Sequence, residues 1–133
     1  IRDRYGVVLF SKYQNKKGSE RILVIDSVGF LSKVYKYADR VFMGGGFNAG
    51  IHNVLEPAAL GKPVFFGPKF ENFKEARELI KIGGAFSIKS VSDINQKWKQ
   101  LDNDNSDEQT SRKILSYFEE NTGATQKIYE HVF

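Results

Sequence analysis

The stretch from Phe42 to Val64, F-M-G-G-G-F-N-A-G-I-H-N-V-L-E-P-A-A-L-G-K-P-V, constrains the fold more than any other part of the chain. It reads as an apolar strand, a glycine-rich loop, a short helix stopped by Gly61 and the start of another strand. That order sets a loop and a helix N-terminus at the carboxyl end of a strand. Backbone N–H groups at a helix start lack partners within the helix, and the helix dipole favours negative charge there, so a phosphate is a natural ligand. Ligands of open α/β sheets also gather at the carboxyl edge of the strands. The residues alone thus point to a nucleotide or nucleotide-sugar site.

The rest of the chain repeats the alternation. Gly6 to Phe10 and Arg21 to Ile25 are short apolar runs separated by the polar turn Lys12 to Lys17. Leu31, Val34, Tyr35 and Ala38 recur at helical spacing, and Arg40 to Met43 return to strand. Pro63 opens a strand through Phe66, where its missing N–H costs least. A helix over about 72–82 closes at Gly83-Gly84, with Asn72 expected as its cap, and Ala85 to Ile88 form a short strand. Ser90 to Asp93 reads as a helix start, Asp102 to Asp107 as a polar loop, and Ile114, Tyr117 and Phe118 mark a last helix interrupted at Gly123. Strands alternating with helices imply a parallel sheet covered on both faces, a Rossmann-like α/β domain.

At 133 residues the chain suits one domain with one core, and 41% hydrophobic content is that of a globular protein. No run approaches the ~18 apolar residues of a membrane span, and the start carries no signal-peptide pattern. Cysteine is absent, so disulfides and thiolate metal sites are excluded. His52 and His131 lie far apart without a surrounding acidic cluster, so no metal site is expected. The net charge of +4 could favour a phosphorylated ligand. No stripe of basic and aromatic residues follows one element, so nucleic acid is not an expected partner. Ile1 to Tyr5 run almost directly into a strand without an initiator methionine, so a piece of a longer protein is expected.

Gly44-Gly45-Gly46 lets the backbone approach a ligand, and equally lets a strand turn into a helix. The spacing is not G-x-G-x-x-G, no acid follows at the ribose position about 20 residues on, and no Walker sequence occurs, which disfavours a nicotinamide or P-loop domain. Asn53 and Glu56 have capping-box spacing, with Asn53 as cap and Glu56 third in the helix. Either as cap or as ligand group, Glu56 stands at the helix entrance, where a carboxylate can accept two ribose hydroxyls. His52 can donate to phosphate or simply pack. Asp26-Ser27-Val28-Gly29 follows the second strand on the expected carboxyl edge, where its backbone could meet a base or sugar. No Ser/His/Asp set, cysteine nucleophile or catalytic carboxylate pair is evident, so no catalytic residue is assigned.

The segments D-S-V-G-F-L from Asp26, G-G from Gly44, H-N-x-L-E-P-A-A-x-G-K-P-V from His52, G-P from Gly67 and N-F from Asn72 strongly resemble the C-terminal half of 3-deoxy-D-manno-octulosonic acid (Kdo) transferases. The closing Asn121 to Thr125 resembles the same family. E-P-A-x-x-G-x-P-V is common to sugar transferases of the two-domain GT-B fold, and the flanking motifs narrow it. The resemblance implies that residues 1–133 are the CMP-Kdo donor domain, with the acceptor and catalytic N-terminal domain outside this chain. It implies a ribose contact for Glu56, phosphate contacts for His52 and Asn53 with the helix start, a cytosine border at Val28 and Gly29, and close donor approach at Gly45 and Gly46. It further implies metal-independent transfer of Kdo to a lipid A precursor, at the cytoplasmic face of the bacterial inner membrane, to which the full-length enzyme attaches peripherally. The fragment alone would be soluble and inactive. Phe30 departs from the family, standing where an acidic residue is common. The residues themselves leave two other readings open: a UDP-sugar enzyme or epimerase of the same fold, and a noncatalytic module in which Glu56 and Asn53 only cap a helix.

Overall fold

Val64, Phe65 and Phe66 are fully buried although they alternate between two faces of a strand, and that single fact fixes a sheet covered on both sides. The structure, a computed structural model, describes residues 5–13, 20–103 and 106–121. Contacts divide the chain into two units, Ile1–Val34 and Tyr35–Phe133.

In the second unit, β3 (Val41–Phe42), β4 (Val64–Phe66) and β5 (Ala85–Ser87) form a parallel sheet in that order. Val41 pairs with Val64 and Val64 with Ala85, so the most apolar strand is central. The connections are α2 (Leu55–Ala59) and α3 (Lys74–Lys81), followed by α4 (Val91–Asp102) and α5 (Ser106–Asn121). Val64 and Phe66 join one core cluster with Ala58 of α2, Ala76 and Leu79 of α3 and Ile114 of α5. Phe65 turns to the other face and joins Ile88, Leu101 and, partly buried, Ile94. Its ring stacks on Phe86 with centroids 5.0 Å apart and lies 5.4 Å from Trp98 of α4.

The helix ends follow the sequence signals closely. Gly61, at φ +70°, and Gly83, at φ +78°, each end a helix in the left-handed conformation. After α3, Gly83 N–H donates to Ile80 O at 2.9 Å and Gly84 N–H to Leu79 O at 2.8 Å, the paired bonds of a Schellman motif. Ser90 caps α4 by accepting from Asp93 N–H at 3.1 Å, while the Asp93 carboxylate accepts from Lys89 N–H at 2.8 Å. The expected cap of α3 is corrected: Phe73, not Asn72, is the cap residue, and it supplies no side-chain bond. The chain makes a turn at Glu71-Asn72 first, so Asn72 sits one residue too early to reach the helix.

Arg40, just before β3, joins the ends of α4 and α5. Its side chain is 4% exposed and pairs with Asp102 at 2.6 Å and with Asp107. It also donates to Trp98 O at 3.1 Å and lies 4.9 Å from that indole's centroid.

In the first unit, β1 (Val7–Leu9) and β2 (Ile22–Val24) pair in parallel, Val7 opposite Ile22. A tight turn cannot join parallel strands, and most of the expected turn at 12–17 lies outside the described residues. Ser11, in a 3-10 turn after β1, donates to the Asp26 carboxylate through N–H at 2.9 Å and Oγ at 2.5 Å. These bonds tie the carboxyl ends of both strands and hold the Asp26 pKa below its ordinary value. Unlike β4, β2 remains exposed along its whole length, because a two-stranded sheet gives its side chains few neighbours. The helix expected over 30–38 splits into α1 (Leu31–Val34) and a 3-10 turn, Tyr35–Tyr37. The interruption expected at Gly123 lies outside the described residues. Among the described residues no helix is long and apolar enough to cross a membrane.

Candidate functional site

The glycine loop leaves β3 and folds back on itself. Gly45 pairs with Ile51 across an antiparallel bridge, and Gly46 N–H is shared between Ala49 O at 3.0 Å and Gly50 O at 3.3 Å. Both glycines have positive φ, +95° at Gly45 and +78° at Gly46. Their carbonyls accept from the loop after β4: Gly67 N–H reaches Gly45 O at 3.2 Å, and Lys69 N–H reaches Gly46 O at 2.8 Å. Gly46 is therefore buried and its donor is used within the loop, whereas a Cβ on Gly44 would meet open space. Two of the three glycines answer to backbone packing, and the freedom to face a ligand rests with Gly44.

The loop delivers His52, Asn53 and Glu56 together, all exposed. Gly45 makes room for the loop's own backbone, since a Cβ there would lie 2.7 Å from Gly50 O. The Asn53 side chain takes both roles that its spacing suggested, in altered form. Its Oδ1 accepts from Leu55 N–H at 3.0 Å, and its Nδ2 donates to Glu56 Oε1 at 3.1 Å. Val54, in helical conformation, is the cap position, so Glu56 is second in the helix and not third. The capping box is thus replaced by a side-chain pair that holds the Glu56 carboxylate. Tyr35, buried beneath, has its pKa raised first by burial and then by the Glu56 charge.

As an anion anchor the start of α2 is reduced. The helix has five residues, Asn53 already occupies Leu55 N–H, and Pro57 has no N–H to offer. Lys69, whose Nζ donates to Asn48 O at 3.3 Å, adds positive charge at the loop's tip.

Beside this set lies a cavity of about 260 Å³. Ile51, Val54 and Leu55 supply apolar walls, Phe73 a ring, and His52, Asn53 and Glu75 the polar groups. In the sequence Phe73 stands only within the N-F motif, and Glu75 carries no motif. They belong to the far end of a loop and the first turn of α3, and only the fold brings them to His52. Glu56 is not among the residues lining this cavity.

Val28 and Gly29 belong to the first unit, in the turn after β2. Val28 is fully exposed, and Gly29, at φ +83°, has nothing near where a Cβ would stand. Among the described residues no group of three or more His, Asp or Glu is placed to hold a metal ion.

A parallel sheet covered on both faces, with a glycine loop and an acid-bearing helix start at its carboxyl edge, defines the class of fold: a Rossmann-like α/β domain of the kind that makes up each half of the GT-B fold. Comparisons point to the C-terminal domain of Kdo transferases, which this chain resembles in sequence and fold. It is 31% identical over 93 residues to the Kdo transferase of Aquifex aeolicus, covering 68% of this chain and 26% of that protein. The Haemophilus influenzae Kdo transferase is 31% identical over 114 residues, 83% of this chain and 27% of that one. A bifunctional glycosyltransferase/methyltransferase of Fusobacterium nucleatum is 35% identical over 119 residues, 86% of this chain and 18% of that protein. The solved C-terminal CMP-Kdo binding domain of WaaA from Acinetobacter baumannii matches with a TM-score of 0.71 and 27% identity, over 81% of this chain and 58% of that one. The chain spans about a quarter of the length of the two Kdo transferases. No protein-family profile matches it.

Proposed function

We propose that this domain binds CMP-Kdo and, as the donor half of a longer glycosyltransferase, presents it for transfer of Kdo to a lipid A precursor. The observation that carries the reading is the triad of His52, Asn53 and Glu56 gathered beside the glycine loop, with Asn53 holding the Glu56 carboxylate at 3.1 Å. A fixed carboxylate accepts the two ribose hydroxyls. His52 and the second N–H of the Asn53 amide donate to the phosphate, with Lys69 adding charge. In transfer, an acceptor hydroxyl attacks Kdo C2, the bond from C2 to the phosphate oxygen breaks, and CMP leaves with the electron pair. Donors placed at that oxygen stabilise the charge as it develops, without a metal ion in this reading. The base that takes the acceptor's proton, the lipid A site and peripheral attachment at the cytoplasmic face of the inner membrane belong to the N-terminal domain. The domain alone is soluble, binds the nucleotide weakly and transfers nothing.

The test is Glu56→Gln. The variant should lose about tenfold or more in CMP affinity, since hydrogen bonds to a charged group contribute ~1.5–3 kcal/mol. Its unfolding free energy should stay within about 1 kcal/mol of the parent. Unchanged CMP binding in a folded variant would leave Glu56 a helix-start residue only.

A further inference from the structure

The cavity between His52-Asn53 and Phe73-Glu75 has a size and lining that suit one part of the donor. At about 260 Å³ it is smaller than the ~300–1,000 Å³ typical of pockets that enclose a whole small-molecule ligand. A carboxylate in its lining disfavours the anionic parts of the donor there, the phosphate and the C1 carboxylate of the sugar alike, because like charges repel. Glu56 lies outside it, and Asn53 stands between the two, bonded to Glu56 on one side and lining the cavity on the other. The part of the donor beyond the phosphate, seen from the ribose, is the transferred sugar.

We propose that this cavity is the subsite for the hydroxylated part of the transferred sugar, with Glu75 accepting a hydroxyl of the octulosonate remote from its C1 carboxylate and the Phe73 ring covering a face of its C–H groups; the assignment rests on the CMP-Kdo reading above. Neither the His52 nor the Glu75 side chain makes a hydrogen bond or ion pair among the described residues, so both are available to a ligand. The wall is rigid. A Cβ on Gly50 would lie 2.5 Å from Phe73 Cζ, so the ring rests directly on the glycine loop's backbone. Ala76 and Leu79, both fully buried, fix the helix that carries Glu75. Apolar walls, one aromatic ring and a few convergent polar groups suit a polyhydroxylated ring, whose C–H faces are apolar and whose hydroxyls need acceptors. Glu75 is then a specificity residue for the sugar, and Glu56 for the nucleotide.

The test compares CMP with freshly prepared CMP-Kdo, by amide chemical shifts and by affinity, on the parent chain and on Glu75→Gln. CMP should move the amides of His52 to Glu56 and leave Phe73 to Glu75 unchanged, while CMP-Kdo moves both groups. Glu75→Gln should lower the ratio of CMP-Kdo to CMP affinity about tenfold, the worth of one hydrogen bond to a charged group. If CMP binds but CMP-Kdo leaves Phe73 to Glu75 unmoved and the variant keeps the parent's ratio, the subsite is wrong while the nucleotide reading stands. If CMP alone moves Phe73 to Glu75 and Glu75→Gln weakens CMP, the cavity holds nucleotide and the subsite is again wrong. If neither ligand binds the parent, the donor reading fails first and takes the subsite with it.

Discussion

Gly46 and Gly67 lie backbone against backbone. A Cβ on Gly46 would come within 2.8 Å of Gly67 O, and one on Gly67 within 2.5 Å of the Gly46 carbonyl carbon. The loops after β3 and β4 are clasped at this point, and the clasp sets where His52 to Glu56 emerge.

Gly46→Ala should therefore destabilise the domain by about 2–4 kcal/mol, combining overpacking against backbone with a left-handed residue that now carries a Cβ. Gly44→Ala should change stability by less than about 0.5 kcal/mol, because its Cβ enters open space. Urea unfolding of both variants checks the pair. Equal effects would mean that the loop is not held by the Gly46–Gly67 contact.

Replacing Arg40 should loosen the ends of α4 and α5 together. A fully buried ion pair broken on one side costs ~3–5 kcal/mol, but Asp102 and Asp107 are 58% and 41% exposed and water can reclaim them. The expected loss for Arg40→Ala is about 1–3 kcal/mol. Arg40→Lys should recover little of it, since an ammonium cannot reach both carboxylates and the Trp98 carbonyl with one planar fork. Denaturant midpoints together with Trp98 fluorescence read out both effects.

Tyr117 of α5 donates its hydroxyl to the Glu78 carboxylate of α3, and that bond with burial raises its pKa to about 12. Because the folded value lies above the unfolded value of about 10, the folded state holds the proton longer. The contribution to stability is whole below pH ~10 and is lost as pH rises through about 12. Tyr117→Phe should flatten that part of the stability–pH curve, and a tyrosinate absorbance titration should show one late-ionising group disappear. Tyr35, also raised, remains in the variant as an internal reference.

The order of elements in the second unit was legible because its signals are local: apolar runs for β3 to β5, glycines at the ends of α2 and α3, and Ser90 three residues before Asp93. The motif around His52 to Glu56 was legible as a group for the same reason. What escaped is non-local. The glycines at 44–46 read equally as ligand-facing or as a strand-to-helix turn, and nothing local in the sequence announces the contact of Gly46 with Gly67, twenty-one residues away. Glu75 carries no motif of its own and reaches the cavity only because α3 packs on the same sheet as α2. Asn72 illustrates a smaller limit, since a turn displaced by one residue moves a cap that propensity alone would accept.

A loop from Gly44 to Glu56 that binds a cytidine nucleotide should choose CMP over other nucleotides. Titration of the chain with CMP, UDP and ADP, followed by amide shifts, decides this. CMP should bind tightest of the three, with shifts gathered at Gly44 to Gly46 and His52 to Glu56. Tighter binding of UDP, or CMP shifts confined to other parts of the chain, would contradict it.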